Sequence, residues 1–399
     1  MNVDAHPYPY EIADPFSLPA QIGWLRAHEP VRKVKVATGD DVWLITRHED
    51  CRTALADRRL SRNVFRPDTA RLLPDVPVVQ VSKAYTDDVA AHTRWRRLVS
   101  KAFTARHVEG MRPQVQALVD ELLDAMEATG QPADLMTAFA YPLSSAVLCG
   151  LLGISTDEHD RFRELADVAL TINDKPMDEK MATYQKMVVF SQGLVAAKRA
   201  EPAEDLLSRL IAAVDGDDGA LSEEELVSTI LAMFIGGYES TVNQIGKGML
   251  ALFRHPEQLA MLRADPSMVD SAVEETLRYA SVDIGFGSPR YATDDVEVGG
   301  VTIPKGSTVL VVRMSGNRDE ARFPDPDRFD ITREPRQHFA FGFGPHNCLG
   351  AALARLELQL GTATLLRRFP ELRLTVPADE VKWDFRVTAA GPAALPVAW

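Results

Sequence analysis

Cysteine is scarce in this chain of 399 residues, which has only Cys51, Cys149 and Cys348, far apart in sequence. An odd, sparse set is poor material for a disulfide framework and is typical of a reducing cytoplasm. The first ten residues contain no basic region followed by an apolar stretch, so we expect no cleaved signal peptide. The longest strongly apolar run, near 230–235, is far too short to cross a bilayer. These absences predict a soluble, cytoplasmic protein.

Positive charge is also in deficit. The chain has 44 Lys and Arg against 57 Asp and Glu, a formal net charge of −13. Nucleic-acid and anionic-membrane binding both need a positive field, so we expect neither as a partner. A chain of this length that is 46% hydrophobic can bury a core large enough to enclose a bulky group.

Helical periodicity dominates the sequence, and strand-like pieces are few and short. We predict helices over 19–28, 47–57, 113–129, 157–170, 184–200, 222–254, 256–264, 267–280 and 350–368. We predict a hairpin of 32–36 with 42–46, and strands at 296–301, 307–312 and 372–376. The fold class is therefore mainly α with a small β region, which comprises about 30–46, 282–335 and the C-terminal strands. No linker divides the chain, so we expect a single domain over 1–399.

The strongest chemical signal is the run at 341–350, Phe-Gly-Phe-Gly-Pro-His-Asn-Cys-Leu-Gly, which leads directly into a good helix former. A cysteine at the mouth of a helix lies at the positive end of the helix dipole, which favours thiolate over thiol. Gly342, Gly344 and Gly350 permit turns without a Cβ, so that a flat cofactor can lie against the loop. By itself the loop leaves three alternatives open for Cys348: a buried structural thiol, half of a zinc site with His346, or a nucleophile with an unplaced base.

This run resembles the haem-binding signature of cytochrome P450 enzymes, Phe-x-x-Gly-x-x-x-Cys-x-Gly, at every fixed position. The resemblance implies that Cys348 is the metal ligand, the proximal thiolate of the iron in haem b, whose electron push favours O–O cleavage. It further implies that Phe341 packs beside the sulfur and that His346 pairs with a haem propionate. Gly342 and Gly350 belong to the same cofactor-binding loop.

The resemblance extends from about Pro30 to the C-terminus and is to the bacterial, soluble, ferredoxin-dependent, actinobacterial secondary-metabolism type. It implies a triangular helical prism that encloses haem between a central helix and the helix after the cysteine loop. A structural network is implied too, because Glu275 and Arg278 are i and i+3 on one helix. An exposed pair of this kind is worth little. In the family it is buried, with Arg328 in the place of the third member.

The predicted helix at 222–254 begins with a capping box, Ser222 with Glu225. Midway it contains Gly236 and Gly237, which cost roughly 1 kcal/mol each relative to alanine, and a close helix crossing would explain them. This stretch resembles the family's oxygen-binding segment, and its catalytic residues are then Glu239, Ser240 and Thr241. The usual acid–threonine pair is here Glu239-Ser240. Consecutive helix residues diverge by roughly 100°, and the glycine spacing favours Ser240 in the alcohol role.

Three cationic side chains resemble the family's propionate ligands: His92, Arg96 and Arg290. The resemblance also implies an apolar substrate pocket. Its predicted lining is Val64, Phe65, Tyr85, Met233, Tyr238, Phe286 and Thr388.

The sequence contains no Gly-rich dinucleotide fingerprint after a strand, so we expect no reductase domain. We expect electrons from NAD(P)H through a separate ferredoxin and ferredoxin reductase, and a monomeric oxygenase. A basic docking surface could comprise Arg94, Arg97, Lys101, Arg106, Arg333, Arg336 and Arg355. The predicted function is a monooxygenase that uses O2 on an apolar secondary metabolite. Two alternatives are oxidative C–C or C–N coupling or cyclisation, for example of an aromatic or cyclic peptide, and a non-catalytic haem sensor.

Overall fold

The computed structural model describes the chain except for residues 1–2, 4, 13, 65, 73–88, 156–157, 160, 163, 166–175, 216–220, 283–287, 335–336 and 385–388, and the side chains of 177, 180 and 235. Along the described residues the helices are α1 Ala20–His28, α2 His48–Ala56, α3 Val89–Val99, α4 Ala105–Gly110, α5 Arg112–Thr129, α6 Tyr141–Leu152, α7 Met177–Ala200, α8 Leu206–Asp215, α9 Glu223–Gly237, α10 Glu239–Arg254, α11 Pro256–Ala264, α12 Val269–Tyr279, α13 Arg313–Gly316 and α14 Ala351–Arg368. The strands are β1 Val31–Lys35, β2 Asp41–Ile45, β3 Leu60–Ser61, β4 Ala133–Asp134, β5 Ser288–Ala292, β6 Val296–Val298, β7 Val301–Ile303, β8 Thr308–Val311, β9 Arg373–Leu374, β10 Trp383–Asp384, β11 Gly391–Pro392 and β12 Pro396–Ala398.

The chain divides into two compact units, Met1–Val79 with Ser271–Cys348, and Gln80–Asp270 with Leu349–Trp399. The fold is mainly α with a small β portion, as the sequence predicts. The single domain over 1–399 stays a prediction. None of the described helices combines the length and the apolarity that a bilayer crossing needs.

The first unit is built on a five-stranded sheet in the order β1-β2-β8-β5-β3. The predicted hairpin is confirmed: β1 and β2 are antiparallel, with Val34 opposite Val42. Side chains alternate between the faces of the sheet, because successive residues of a strand point to opposite sides. Ile45 and Val309 belong to the core that includes α2 residues, whereas Leu44 and Leu310 belong to the core that includes α1 residues. Both faces of the central strands are therefore buried.

The second unit is helical. Helix α14 packs against α5 and α10, and α9 packs against α7, α8 and α10. The strands of this unit form two small sheets, β4-β12-β9 and β10-β11. Each of the long helices turns buried apolar residues inward, for example Val119 and Leu123 of α5 and Leu365 of α14.

The predicted continuous helix over 222–254 is wrong at its centre. Helix α9 ends at Gly237, α10 begins at Glu239, and Tyr238 between them has φ −90° and ψ −70°. The predicted capping box at Ser222 and Glu225 is present in full. Two adjacent glycines make the break possible, and a hydrogen bond from the Ser144 hydroxyl to the Tyr238 carbonyl, 3.2 Å long, stabilises it.

Candidate active site

The loop that precedes Cys348 is fixed by its own backbone. The Cys348 N–H donates to the Phe341 carbonyl at 2.7 Å, and the Asn347 N–H donates to the Gly344 carbonyl at 3.0 Å. Gly342 and Gly344 have φ of +70° and +74°, in the left-handed region that favours glycine. A Cβ on Gly344 would lie 2.6 Å from the Leu55 carbonyl oxygen at the end of α2. Glycine is required there for conformation and for space.

Cys348 is exposed, whereas Cys51 and Cys149 are buried. Burial raises the pKa of the Cys51 thiol well above its usual value, and burial raises the pKa of Cys149 to about 12. Both buried thiols therefore stay protonated at neutral pH and are poor metal ligands. Because Cys348 is exposed, the buried structural thiol is no longer a suitable interpretation for it.

The zinc alternative for Cys348 gains no support from the part of the chain that the structure describes. Within that part, no three His, Cys, Asp or Glu side chains are grouped in a way that could hold a metal ion. A structural zinc site needs about four such ligands, and His346 would supply only one besides Cys348.

Glu275 and Arg278 form a buried bidentate ion pair on α12. The Arg278 Nε and Nη2 atoms donate to the two carboxylate oxygens at 2.8 and 2.7 Å, and both side chains are only 2% exposed. The remaining guanidinium N–H groups donate to the backbone carbonyls of Asn317, Pro326 and Arg328. This arrangement leaves the buried guanidinium well satisfied, which a buried ion pair requires.

The third side chain of the network differs from the prediction. Arg333 lies with Nε 3.4 Å from Glu275 Oε2 and is 12% exposed, whereas the Arg328 guanidinium is 65% exposed and 3.8 Å from Asp330. Arg328 contributes its carbonyl only, because the turn closed by its N–H on the Asp325 carbonyl presents the backbone to Arg278. The predicted docking role of Arg333 is not supported either, since its guanidinium is mostly buried in this network.

The two hydroxyls after the helix break contact different glycine carbonyls. Ser240 Oγ donates to the Gly236 carbonyl at 2.8 Å, and Thr241 Oγ1 donates to the Gly237 carbonyl at 3.4 Å. Thr241 is buried, whereas Ser240 and Glu239 are half-buried. The more accessible alcohol of this stretch is therefore the Ser240 hydroxyl.

Helix α3 carries His92 and Arg96 one turn apart, on one face. Near the middle of α3, Trp95 Nε1 donates to Thr229 Oγ1 of α9 at 2.8 Å, and this bond connects the two helices. Arg94, a predicted docking residue, forms an ion pair of 2.8 Å with Glu225 of α9. His92 is buried, with its ring centroid 5.9 Å from that of Trp95.

Comparison with known proteins identifies the family. A family model described as cytochrome P450 matches residues 174–385. The mycinamicin IV hydroxylase/epoxidase of Micromonospora griseorubida is 39% identical over 399 residues, and nocardicin C N-oxygenase of Nocardia uniformis subsp. tsuyamanensis is 40% identical over 402, each match covering 100% of both chains. The chain belongs to the cytochrome P450 family.

The fold of this cytochrome P450 is equally clear from solved structures. The structure of SgvP, a putative thioether synthase involved in the tailoring step of griseoviridin, matches with a TM-score of 0.92 at 40% identity over 99% of both chains. The predicted P450 fold and resemblance are confirmed, and the chain is an oxidoreductase of the P450 monooxygenase family, whose matched members are bacterial secondary-metabolism enzymes.

The residues of the first unit fit the haem that this P450 family implies. Arg290 is 2% exposed, and its guanidinium donates to Ser288 Oγ at 2.9 Å and to the Pro289 carbonyl at 3.0 Å. Within the described ranges it has no carboxylate partner. Burial, and then the charges of Arg62 and Arg313, hold the pKa of Arg290 well below its usual range. A buried cation in a positive field needs an anionic partner, and a haem propionate is one.

Replacing Arg290 by methionine is expected to have opposite effects on the two forms of this P450. The haem-free protein should melt at a higher temperature, because a buried charge without a carboxylate is removed. The haem-loaded protein should lose haem roughly tenfold faster, because an outer ligand contact is lost. Haem transfer to apomyoglobin and thermal melting measure the two effects. A haem-free variant that melts lower, with unchanged haem loss, would contradict this assignment.

The predicted substrate contacts differ in burial, and some lie outside the described residues. Val64 is half-buried and Met233 is buried on α9. Tyr238 is fully buried, with ring centroids 6.1 Å from Tyr141 and 5.9 Å from Phe162, so it belongs to the aromatic core of the second unit instead of a pocket wall. Four predicted contacts lie outside the described residues: Phe65, Tyr85, Phe286 and Thr388.

The sequence analysis assigned Arg333 to a docking surface and not to the Glu275 network, and it did not single out His338. Both act through contacts with α12, some 60 residues earlier in the chain, and no local pattern marks them. The one signal in the sequence is that His338 lies three residues before Phe341, the first residue of the haem-binding motif.

Proposed function

We propose that this P450 is a haem-thiolate monooxygenase that oxidises an apolar small organic molecule, a secondary metabolite, using O2 and two electrons from a ferredoxin. The observation that carries the proposal is the exposed Cys348 thiol on a backbone-fixed loop. NAD(P)H is the electron source, through ferredoxin reductase. The cysteine usage supports a cytoplasmic location, and we propose a monomer.

Haem b, when bound, supplies the iron centre that activates dioxygen, with its reactivity set by a thiolate ligand. The part of the protein is to hold and orient that group. Cys348 binds the iron through sulfur, while Arg290, His92, Arg96 and His346 bind the propionates.

Proton delivery is assigned to Glu239 and Ser240. The Ser240 hydroxyl donates to the Gly236 carbonyl at 2.8 Å; when it rotates away from that carbonyl it can give up its proton and take a replacement from the Glu239 carboxyl group, which is half-buried and takes its protons from solvent. Val64 and Met233 supply apolar surface to the substrate, along with the four predicted contacts outside the described residues.

A second candidate is oxidative coupling or cyclisation without oxygen insertion. It is favoured by Ser240, which stands where the family usually has threonine and whose hydroxyl is engaged by a backbone carbonyl. The relative SgvP, a putative thioether synthase, supports bond formation as an outcome on this fold.

Labelled dioxygen distinguishes the two candidates. A panel of bacterial natural products is first screened for a low-to-high-spin shift, and the best ligand is then incubated with NAD(P)H, a surrogate ferredoxin and its reductase under ¹⁸O2. Monooxygenation predicts a product heavier by one ¹⁸O atom. A product that lacks the label and two hydrogens would indicate coupling, and no NAD(P)H-dependent turnover of any spin-shifting ligand would contradict both.

The Ser240→Ala variant is expected to form product about 10²-fold more slowly, at the low end of general acid catalysis, while NAD(P)H oxidation falls much less. The matched variant Thr241→Val removes the 3.4 Å hydrogen bond of a buried hydroxyl and should cost only about 1 kcal/mol of stability. The ratio of product to NAD(P)H consumed is the measurement. If Thr241→Val lowers this ratio and Ser240→Ala does not, the alcohol role belongs to Thr241.

Electrons should enter through a basic surface. With Arg94 paired and Arg333 buried in the network, the remaining predicted docking residues within the described chain are Arg97, Lys101, Arg106 and Arg355. Arg336 lies outside the described residues.

A further inference from the structure

His338 is a buried histidine with both ring nitrogens engaged. Its side chain is 3% exposed, its Nε2 lies 3.0 Å from Glu274 Oε2, and its Nδ1 accepts the Ala340 N–H at 3.2 Å. Because Nδ1 is an acceptor, the ring proton is assigned to Nε2, which donates to the Glu274 carboxylate. The orientation of the ring is therefore fixed from two sides.

Glu274 and Glu275 are consecutive residues of α12 with separate tasks. Consecutive helix side chains diverge by about 100°, so the two carboxylates leave the helix in different directions. Glu275 binds Arg278 and accepts the Asp330 N–H at 2.9 Å. Glu274 reaches His338 instead, and α12 thereby holds the segment before the cysteine loop through a contact that the Glu275 network does not use.

The segment from 338 to 348 connects this histidine to Cys348 through short contacts. The His338 ring centroid lies 6.2 Å from that of Phe341, and the Phe341 carbonyl accepts the Cys348 N–H at 2.7 Å. Phe339, between them, is held by its N–H on Asn317 Oδ1 at 2.6 Å. The His338 ring thus contacts the residue whose carbonyl fixes the Cys348 backbone.

We propose that His338, oriented by Glu274, is a positioning residue for the thiolate ligand: it fixes Phe341 and, through the Phe341 carbonyl, the backbone of Cys348. The inference rests on the proposed haem-thiolate function. Groups that orient a metal ligand usually matter almost as much as the ligand. We therefore expect loss of the His338 contacts to weaken the binding of iron by the Cys348 sulfur under conditions in which the first unit is still folded.

The structure offers a matched control in His48. This second buried histidine has its Nε2 2.9 Å from the Gln337 carbonyl and its ring stacked on Phe339, with the ring centroids 4.5 Å apart. His338→Phe removes a buried imidazole within the segment 338–348, and His48→Phe removes a buried imidazole of α2 that contacts the start of the same segment. Only the first removes a group that contacts Ala340 and Phe341.

The test follows the ferrous CO complex of each holoenzyme in mild denaturant, together with the midpoint potential of the iron. We expect His338→Phe to lose the strongly red-shifted Soret band roughly tenfold faster than the wild type and to shift the potential. His338→Gln, whose amide can still donate to Glu274, should recover most of the lifetime. His48→Phe should lower the unfolding midpoint without changing the band lifetime or the potential.

Equal band lifetimes and potentials in His338→Phe and His48→Phe would overturn the inference and leave His338 a structural residue. If His338→Phe does not fold, Glu274→Met, which removes the acceptor of the ring proton, takes its place in the same comparison with the same expected result. A wild-type protein without the red-shifted band would instead overturn the proposed function on which the inference rests.

Discussion

Replacing Glu275 by alanine is expected to lower the free energy of unfolding by about 3–5 kcal/mol, because it leaves a buried guanidinium without its carboxylate. Arg278 would keep the carbonyls of Asn317, Pro326 and Arg328, but these dipoles do not compensate a full charge at 2% exposure. The Asp330 N–H would lose its acceptor as well. Urea unfolding measures the loss as a lower midpoint with an unchanged slope.

Arg328→Ala is the matched control for that measurement. Its guanidinium is 65% exposed and 3.8 Å from Asp330, so its removal should cost less than about 1 kcal/mol, while the backbone carbonyl that binds Arg278 remains. Arg333→Ala should fall between the two variants, because Arg333 is a secondary partner of Glu275. A loss in Arg328→Ala as large as that in Glu275→Ala would show that the Arg328 side chain supports the network after all.

The elements that could be predicted from the sequence are those whose ends are marked by nearby residues. Helices α1, α5, α11 and α14 and the β1–β2 hairpin lie close to their predicted bounds, because a bounding proline or glycine marks each of them locally: Pro30, Gly130, Pro256, Gly350 and Gly39. Helix α6 was not predicted. It has buried residues on nearly every side, so its sequence is apolar throughout and has no helical period to detect.

The helix break at Tyr238 was not predictable because its cause is tertiary. The glycines at 236 and 237 indicate low helix stability at that point, but they are equally compatible with the close approach of another helix. What decides the geometry is the bond from Ser144 and the burial of the Tyr238 ring against Tyr141 and Phe162. All three are far away in sequence.

The site divides in the same way. Cys348 could be singled out because its loop is local: ten residues contain the left-handed glycines, the backbone bonds and the ligand. The sequence could not show that Arg333, and not Arg328, contacts Glu275, because both are arginines in one short segment. The turn at Asp325 determines which guanidinium is buried. Family resemblance supplied the motif but not the orientation of each side chain.

Cys348→Ala is expected to have the largest effect on function, because it removes the only protein atom that we assign to the iron. Neither remaining cysteine can substitute. Cys51 and Cys149 are buried, and their raised pKa values keep them as thiols. The variant should fold, since an exposed side chain is truncated, yet NAD(P)H-dependent product formation should fall below detection.

The CO difference spectrum of the reduced protein tests the bond between the Cys348 sulfur and iron most directly. We predict that the wild type and the control Cys149→Ala, which alters a buried thiol, both show the strongly red-shifted Soret band that a thiolate opposite CO produces, and that Cys348→Ala does not. A wild-type protein that cannot be loaded with haem, or a Cys348→Ala spectrum identical to that of the wild type, would contradict the account.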